Sequence, residues 1–435
     1  MSQYKPYPTY KDSGVEWIGQ VPAHWETLPI KRGAGLRNER RTDSPDGWDY
    51  VGLEDVEAES GRYAPTGTAS RQSEDSMVGV FRAGDVLYGK LRPYLRKAIV
   101  TGDDGLCSTE FLVLRPGRSS APWLHRWLLT TEVTQQIEAG CDGAKMPRAD
   151  WDHVGSIPMP LPPPAEQSAI AAALDRETAR IDALIAKKTR FIELLKEKRQ
   201  ALITHTVTKG LDPTVRMKGS GVAWIGEVPL HWDSVPIRRV AKLESGHTPS
   251  RSEPSYWVNC TIPWFTLADI WQVRKEGRVF VSETSEKVSE LGVANSSARK
   301  LPAGTVILSR TASVGFPAIM GCEMATSQDF AAWVCGDRLS NEFLYLCLVA
   351  MRDELGRLTM GSTHKTIYMP DIEQLRCPLP PILEQKRILE FVSRQTKRFD
   401  ELMVNVEHSI TLLKERRSAL ITAAVTGQID LREAA

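Results

Sequence analysis

No run of apolar residues approaches the ~18 needed to cross a bilayer, and the first twenty residues lack the basic start and continuous apolar stretch of a signal peptide. A soluble, cytoplasmic protein without a membrane role is expected. The seven cysteines, at 107, 141, 260, 322, 335, 347 and 377, include no C-x-x-C pair, which argues against a disulfide framework and a zinc ribbon. Buried or incidental thiols are expected instead. The phosphate-cradling G-x-x-x-x-G-K-[ST] and the dinucleotide loop G-x-G-x-x-G are both missing. So is the [DNS]-P-P-[YFW] tetrapeptide of DNA-amine methyltransferases; the proline pairs lie in PLPPPAEQ and PLPPILEQ. No H-E-x-x-H occurs among the eight histidines. A charge excess is lacking as well: 55 Lys and Arg against 54 Asp and Glu leave +1, which taken alone counts against a nucleic-acid-binding chain.

What is present is a repeat. Residues 11–32, KDSGVEWIGQVPAHWETLPIKR, align without gaps on residues 218–239, KGSGVAWIGEVPLHWDSVPIRR, with 14 identities in 22 positions. PLPPPAEQ at 160–167 then matches PLPPILEQ at 378–385, and LLKEKRQALITHTVT at 194–208 matches LLKERRSALITAAVT at 412–426. Between these blocks lie residues 33–159 and 240–377, each the size of a domain, sharing little beyond a skeleton such as Ala83-Gly84-Asp85-Val86-Leu87 against Ala303-Gly304-Thr305-Val306-Ile307. A closely repeated frame around divergent insertions suits the presentation of two specificities in one geometry. His24 and His231, in the repeated V-P-x-H-W, are expected to fix a local turn.

The segments after the proline-rich stops run for about 40 residues without Pro or Gly and read as long helices. Heptads place Ile170, Leu174, Ile181, Leu184, Phe191, Leu195 and Leu202 on one seam, and Ile388, Val392, Phe399, Leu402, Val406, Leu413 and Leu420 on the other. Two helices paired as an antiparallel coiled coil follow. The division expected is 1–159 for the first motif and inserted domain, 160–210 for the first long helix, 211–377 for the repeated motif and second domain, and 378–435 for the second helix and tail. Short apolar runs at 85–88, 111–114 and 305–308 read as strands, and Trp123 to Ile137 and Asn341 to Leu355 as helices. The fold class is α+β, with a pseudo-twofold internal repeat.

Positive charge is concentrated locally. YGKLRPYLRK at 88–97 packs Lys90, Arg92, Arg96 and Lys97 around Tyr88 and Tyr94, a composition able to contact phosphate, guanine edges and sugar. The matching stretch of the second domain, LSRTASVGF, offers Arg310, Thr311 and Ser313. A further pair of loops precedes the long helices: GAKMPR with Lys145 and Arg148, and GSTHKT with Thr363, His364 and Lys365. These are the candidate DNA-contacting residues. A nuclease alternative would use Asp371, Glu384 and Lys386 around Mg²⁺, but the first copy reads Glu166-Gln167-Ser168 without the lysine, and a helix-start role for the glutamate is preferred. A coiled-coil protein-interaction adaptor is the other alternative.

The twice-written W-I-G-x-V-P-x-H-W, P-L-P-P-x-x-E-Q and L-L-K-E-[KR]-R-x-A-L-I-T-x-x-V-T resemble the specificity subunit of type I restriction-modification enzymes, over nearly the whole chain. The resemblance implies two target recognition domains, each reading one half of a split, asymmetric site in double-stranded DNA, with the helices setting the gap. It implies a non-catalytic chain without a cofactor of its own. S-adenosylmethionine-dependent adenine methylation would belong to two modification subunits, and ATP- and Mg-dependent translocation and cutting to restriction subunits.

Overall fold

The computed structural model describes residues 4–43, 45, 47–66, 77–143, 145–359 and 365–432. They form two compact units, one of residues 1–189 with 407–435 and one of residues 190–406. Each joins one inserted domain to the start of one long helix and the end of the other.

In the first unit the inserted domain is built on a sheet of β1 (Ala34–Arg37), β2 (Val86–Gly89), β3 (Ala98–Val100) and β4 (Phe111–Pro116), in the order β1-β4-β2-β3. The second unit repeats it with β5 (Ala241–Ser245), β6 (Val306–Ser309), β7 (Pro317–Met320) and β8 (Phe330–Cys335), in the order β5-β8-β6-β7 with Phe280–Val281 at the edge. The register is shared too. Leu114 lies opposite Leu36 and Val86, and Trp333 opposite Leu243 and Val306. Each sheet buries apolar side chains on both faces, against helices on one side and a smaller second sheet on the other. The expected helix over Trp123 to Ile137 is two, Ala121–Leu128 and Thr131–Ala139, because Thr130 breaks the run and caps the second by accepting from the Val133 amide. Asn341 to Leu355 likewise splits into Asn341–Ala350 and Arg352–Arg357.

The long helices are α1 (Pro164–Lys209, 46 residues) and α2 (Ile382–Val425, 44 residues), each about 70 Å long at 1.5 Å per residue. Their segments run antiparallel within each unit. In the first, Arg417 of α2 meets Asp182 of α1 at 3.0 Å; in the second, Arg199 of α1 meets Asp400 of α2 at 3.6 Å, and the pairs are related by the repeat offset. The seam differs from the expected one in a single column. Leu184, Phe191 and Leu402 are exposed, whereas Ile192 is buried and Ile185, Met403 and Ile410 are half-buried. Two adjacent apolar residues, Leu184-Ile185 or Phe191-Ile192, satisfy the same heptad count, so periodicity alone cannot choose between them.

The first turn of each long helix is tied to the frame. Glu166 accepts from the Trp25 indole at 3.1 Å and lies 2.8 Å from His24 Nε2; Glu384 accepts from Trp232 at 3.0 Å and lies 3.0 Å from His231. The histidines thus hold a tertiary contact to the helix start rather than a local turn. The next residue reaches the inserted domain: Gln167 accepts from the Ser120 amide at 2.7 Å and donates to Arg118 and Pro162 carbonyls, and Gln385 accepts from Ser340 at 2.8 Å and donates to Arg338 and Pro380.

His125, on helix Ala121–Leu128, is buried against β3 with its Nε2 3.0 Å from the Ala98 carbonyl. Burial, with Arg126 nearby, lowers its pKa to about 4. A histidine that stays neutral when folded but charges when unfolded removes stability as pH falls below about 6.5, and the loss is complete near pH 4. Denaturant unfolding from pH 7 to 4 is expected to lose on the order of 3 kcal/mol more in the parent chain than in His125→Gln; equal losses would exclude this histidine as the cause.

Candidate nucleic-acid interface

The strand order brings the C-terminal ends of β1 and β2 and the N-terminal end of β4 to one rim of the first sheet, and those of β5, β6 and β8 to the same rim of the second. The loops leaving these ends are the ones that carried the charge signal. In the first unit the Arg92 amide donates to the Pro147 carbonyl at 2.8 Å, the Ala149 amide donates to Lys90, and Leu91 bridges Arg148. In the second the Ala312 amide donates to Lys365 at 2.8 Å, the Ile367 amide donates to Arg310, and Thr311 bridges Thr366. Two loops more than 50 residues apart in sequence are thus knitted together in both domains. Arg92 (φ 53°) and Ala312 (φ 57°) both take the left-handed conformation at the apex, a costly choice for residues other than glycine, so the same turn is imposed twice.

The candidate side chains separate by what holds them. Arg92 is exposed, and Lys90, Lys145 and Lys365 are half-buried or exposed; none of the four has a side-chain partner among the described residues. Tyr94 is exposed beside Arg92. Arg96 instead pairs with Glu59 at 2.8 Å and donates to Thr131 at 3.0 Å, and Lys97 donates to the Leu53 carbonyl at 2.7 Å. Both are braces of the loop. Arg148 forks onto Glu110 at 3.1 and 3.2 Å, which raises its pKa and neutralises its charge locally. Tyr88 is corrected outright: it is wholly buried on β2, where burial raises its pKa, and it cannot reach a base. The strand is covered on both faces, so Tyr88 is enclosed like its neighbour Leu87, whichever face it takes. Arg310 is half-buried, donating weakly to the Ile367 carbonyl at 3.4 Å, and Thr311 and Ser313 are half-buried beside it. Thr363 and His364 lie outside the described residues.

Two further loops share the rim. Residues 38–39 and 247–250 follow β1 and β5, and a tight turn enters β4 and β8. That turn reads Ser108-Thr109-Glu110-Phe111 in one domain and Ser327-Gln328-Asp329-Phe330 in the other. A search of the divergent domains for S-[TQ]-[ED]-F would have found it.

The nuclease alternative does not survive the placement of Glu384. Its carboxylate is taken by His231 and Trp232, and among the described residues no group of three or more His, Cys, Asp or Glu is arranged to hold a metal. No helix among the described residues is long and apolar enough to cross a membrane.

Residues 229–412 match the Type I restriction modification DNA specificity domain. The chain is similar to the type I restriction enzyme MjaIX specificity subunit of Methanocaldococcus jannaschii, 28% identical over 193 residues, which are 44% of this chain and 43% of that one. The match therefore spans less than half of that relative. It is also similar to the putative MjaX specificity subunit of the same organism, 23% identical over 439 residues covering 95% and 96% of the two chains. In fold it resembles a chain from the structural work on complex assembly and conformational transition of the type I R-M system, with TM-score 0.71, 21% identity and coverage of 93% and 98%. A second fold relative is the HsdS subunit from Thermoanaerobacter tengcongensis, with TM-score 0.51, 20% identity and coverage of 94% and 98%.

The division between braces and free cations has a measurable consequence. Arg96→Ala is expected to lower the unfolding free energy by about 1 kcal/mol through loss of Glu59 and Thr131, while Arg92→Ala changes it by less than about 0.5 kcal/mol. Denaturant unfolding of both variants decides; equal losses would make Arg92 a brace as well.

Proposed function

We propose that this chain, a member of the type I restriction-modification specificity subunits, reads one half of a split, asymmetric double-stranded DNA site with each inserted domain. The observation that carries the proposal is the pair of equivalent loop rims: the backbone frame is held constant and the side chains on it differ. Arg92, Lys90, Lys145 and Tyr94 are the DNA-contacting groups of the first rim, and Arg310, Thr311, Ser313 and Lys365 those of the second. Thr363 and His364 belong to the same proposal by sequence. Arg96, Lys97 and Arg148 act by holding the loops in place.

The long helices set the gap between the half-sites and dock two methyltransferase subunits on their repeated surfaces. Adenine methylation with S-adenosylmethionine, and ATP- and Mg-dependent translocation and cutting by restriction subunits, are assigned to those partners and not to this chain. A net charge of +1 fits a chain that reads base edges while its partners supply most phosphate contacts.

Replacing residues 33–159 with the corresponding domain of another specificity subunit is expected to change one half of the methylated motif and leave the other intact, as read by methylation-sensitive sequencing of the host genome. Change in both halves, or in neither, would refute the modular reading. Inserting about four residues, close to one helical turn, into the middle of both α1 and α2 is expected to alter the gap and preserve both half-site sequences. An unaltered gap would remove the helices' role as a spacer.

A further inference from the structure

The turn entering β8 is built to hold one side chain at its tip. Ser327 donates its amide to the Phe265 carbonyl at 3.1 Å, its hydroxyl meets Asp329 at 2.9 Å, and the Phe330 amide closes the turn on the Ser327 carbonyl at 3.3 Å. The Arg310 amide donates to the Asp329 carbonyl at 2.8 Å, which joins the turn to the apical loop. The first domain repeats these bonds one for one in its backbone: Ser108 to Val51 at 3.0 Å, Phe111 to Ser108 at 3.0 Å and Lys90 to Glu110 at 2.9 Å. Between the braced residues sits one position that the turn itself does not use, Thr109 in one domain and Gln328 in the other.

Gln328 is exposed, and its amide is oriented. The Thr248 hydroxyl donates to Gln328 Oε1 at 2.7 Å. Thr248 comes this close because the preceding chain presses on the turn: a Cβ at Gly246 would stand 2.1 Å from the Thr326 carbonyl oxygen, and the His247 amide donates to that oxygen at 3.1 Å. With one lone pair of Oε1 occupied by Thr248, the exposed amide keeps its other lone pair and both Nε2 protons without a side-chain partner among the described residues. That is the acceptor and donor combination that matches adenine N6 and N7 in the major groove. The Arg310 loop is bonded to this turn on one side and to the Lys365 loop on the other, so Gln328 shares its rim with the cations proposed to hold the duplex.

We propose that Gln328 is a base-reading residue that selects an adenine in the second half-site, with Thr248 as its positioning residue, and that Thr109 occupies the equivalent reading position of the first. The inference rests on the DNA-reading proposal above and adds to it residues that the charge pattern did not indicate. The test uses the assembled complex in its host, with methylated motifs sequenced for the parent chain, Gln328→Ala, Gln328→Glu and Thr248→Val. Gln328→Ala is expected to relax a single base pair of the second half-site, raising methylation of sites with another base there on the order of 10-fold relative to the adenine site. Gln328→Glu should move preference at that base pair toward cytosine, whose N4 amino group donates to a carboxylate. Thr248→Val should weaken discrimination at the same base pair without changing which base is preferred. An unchanged motif in Gln328→Ala, relaxation in the first half-site, or a uniform loss over all sequences would each overturn the assignment. A parent complex that methylates no split motif would instead refute the broader DNA-reading proposal.

Discussion

At the first turn of each long helix a glutamate carboxylate, buried at Glu166 and half-buried at Glu384, is handed to an indole and an imidazole from a motif more than 140 residues earlier. Glu166 is 7% exposed and Trp25 and Trp232 are fully buried. A carboxylate so enclosed is costly unless its lone pairs are satisfied, and the partial positive charge of the helix start adds to the compensation. The next side chain, Gln167 or Gln385, is committed with it, since both its amide ends are used by the inserted domain. Frame, domain and helix therefore meet at two consecutive residues, which accounts for E-Q surviving in both copies while the inserted domains diverge.

That junction leaves the rest of each domain free to vary within limits set by the sheet. Both units wind their strands in the same order and register, so the loops leaving one rim fall in matching places whatever their sequence. The N- and C-terminal segments join this plan in the first unit, where the Asp430 amide donates to the Lys5 carbonyl at 2.8 Å and the Arg432 guanidinium lies 4.9 Å from the Tyr7 ring centre.

The repeat made the architecture legible: the long helices, their pairing and the strands at 85–88, 111–114 and 305–308 all follow from aligned blocks and apolar runs. Four things did not follow, each for a physical reason. The seam column was undecided wherever two apolar residues stood side by side, although Ser409-Ile410 in the second copy carried the answer for Phe191-Ile192 in the first. Charge composition could not separate Arg92, whose side chain has no partner among the described residues, from Arg96 and Arg148, which are held by glutamates distant in sequence. Tyr88 looked like part of a basic-aromatic cluster because composition does not show that its strand is covered on both faces. The turns at Ser108 and Ser327 carried no charge excess and were missed.

The braced turn separates two properties that usually change together. Backbone amides and a serine hold its shape, so the residue at its tip contributes little to folding, as the change from threonine to glutamine between the two domains illustrates. Most substitutions in a protein are filtered first by stability. A position outside that filter can be exchanged at little cost to folding, so under the base-reading proposal a lineage carrying this scaffold can explore new addresses on a chromosome by single mutations.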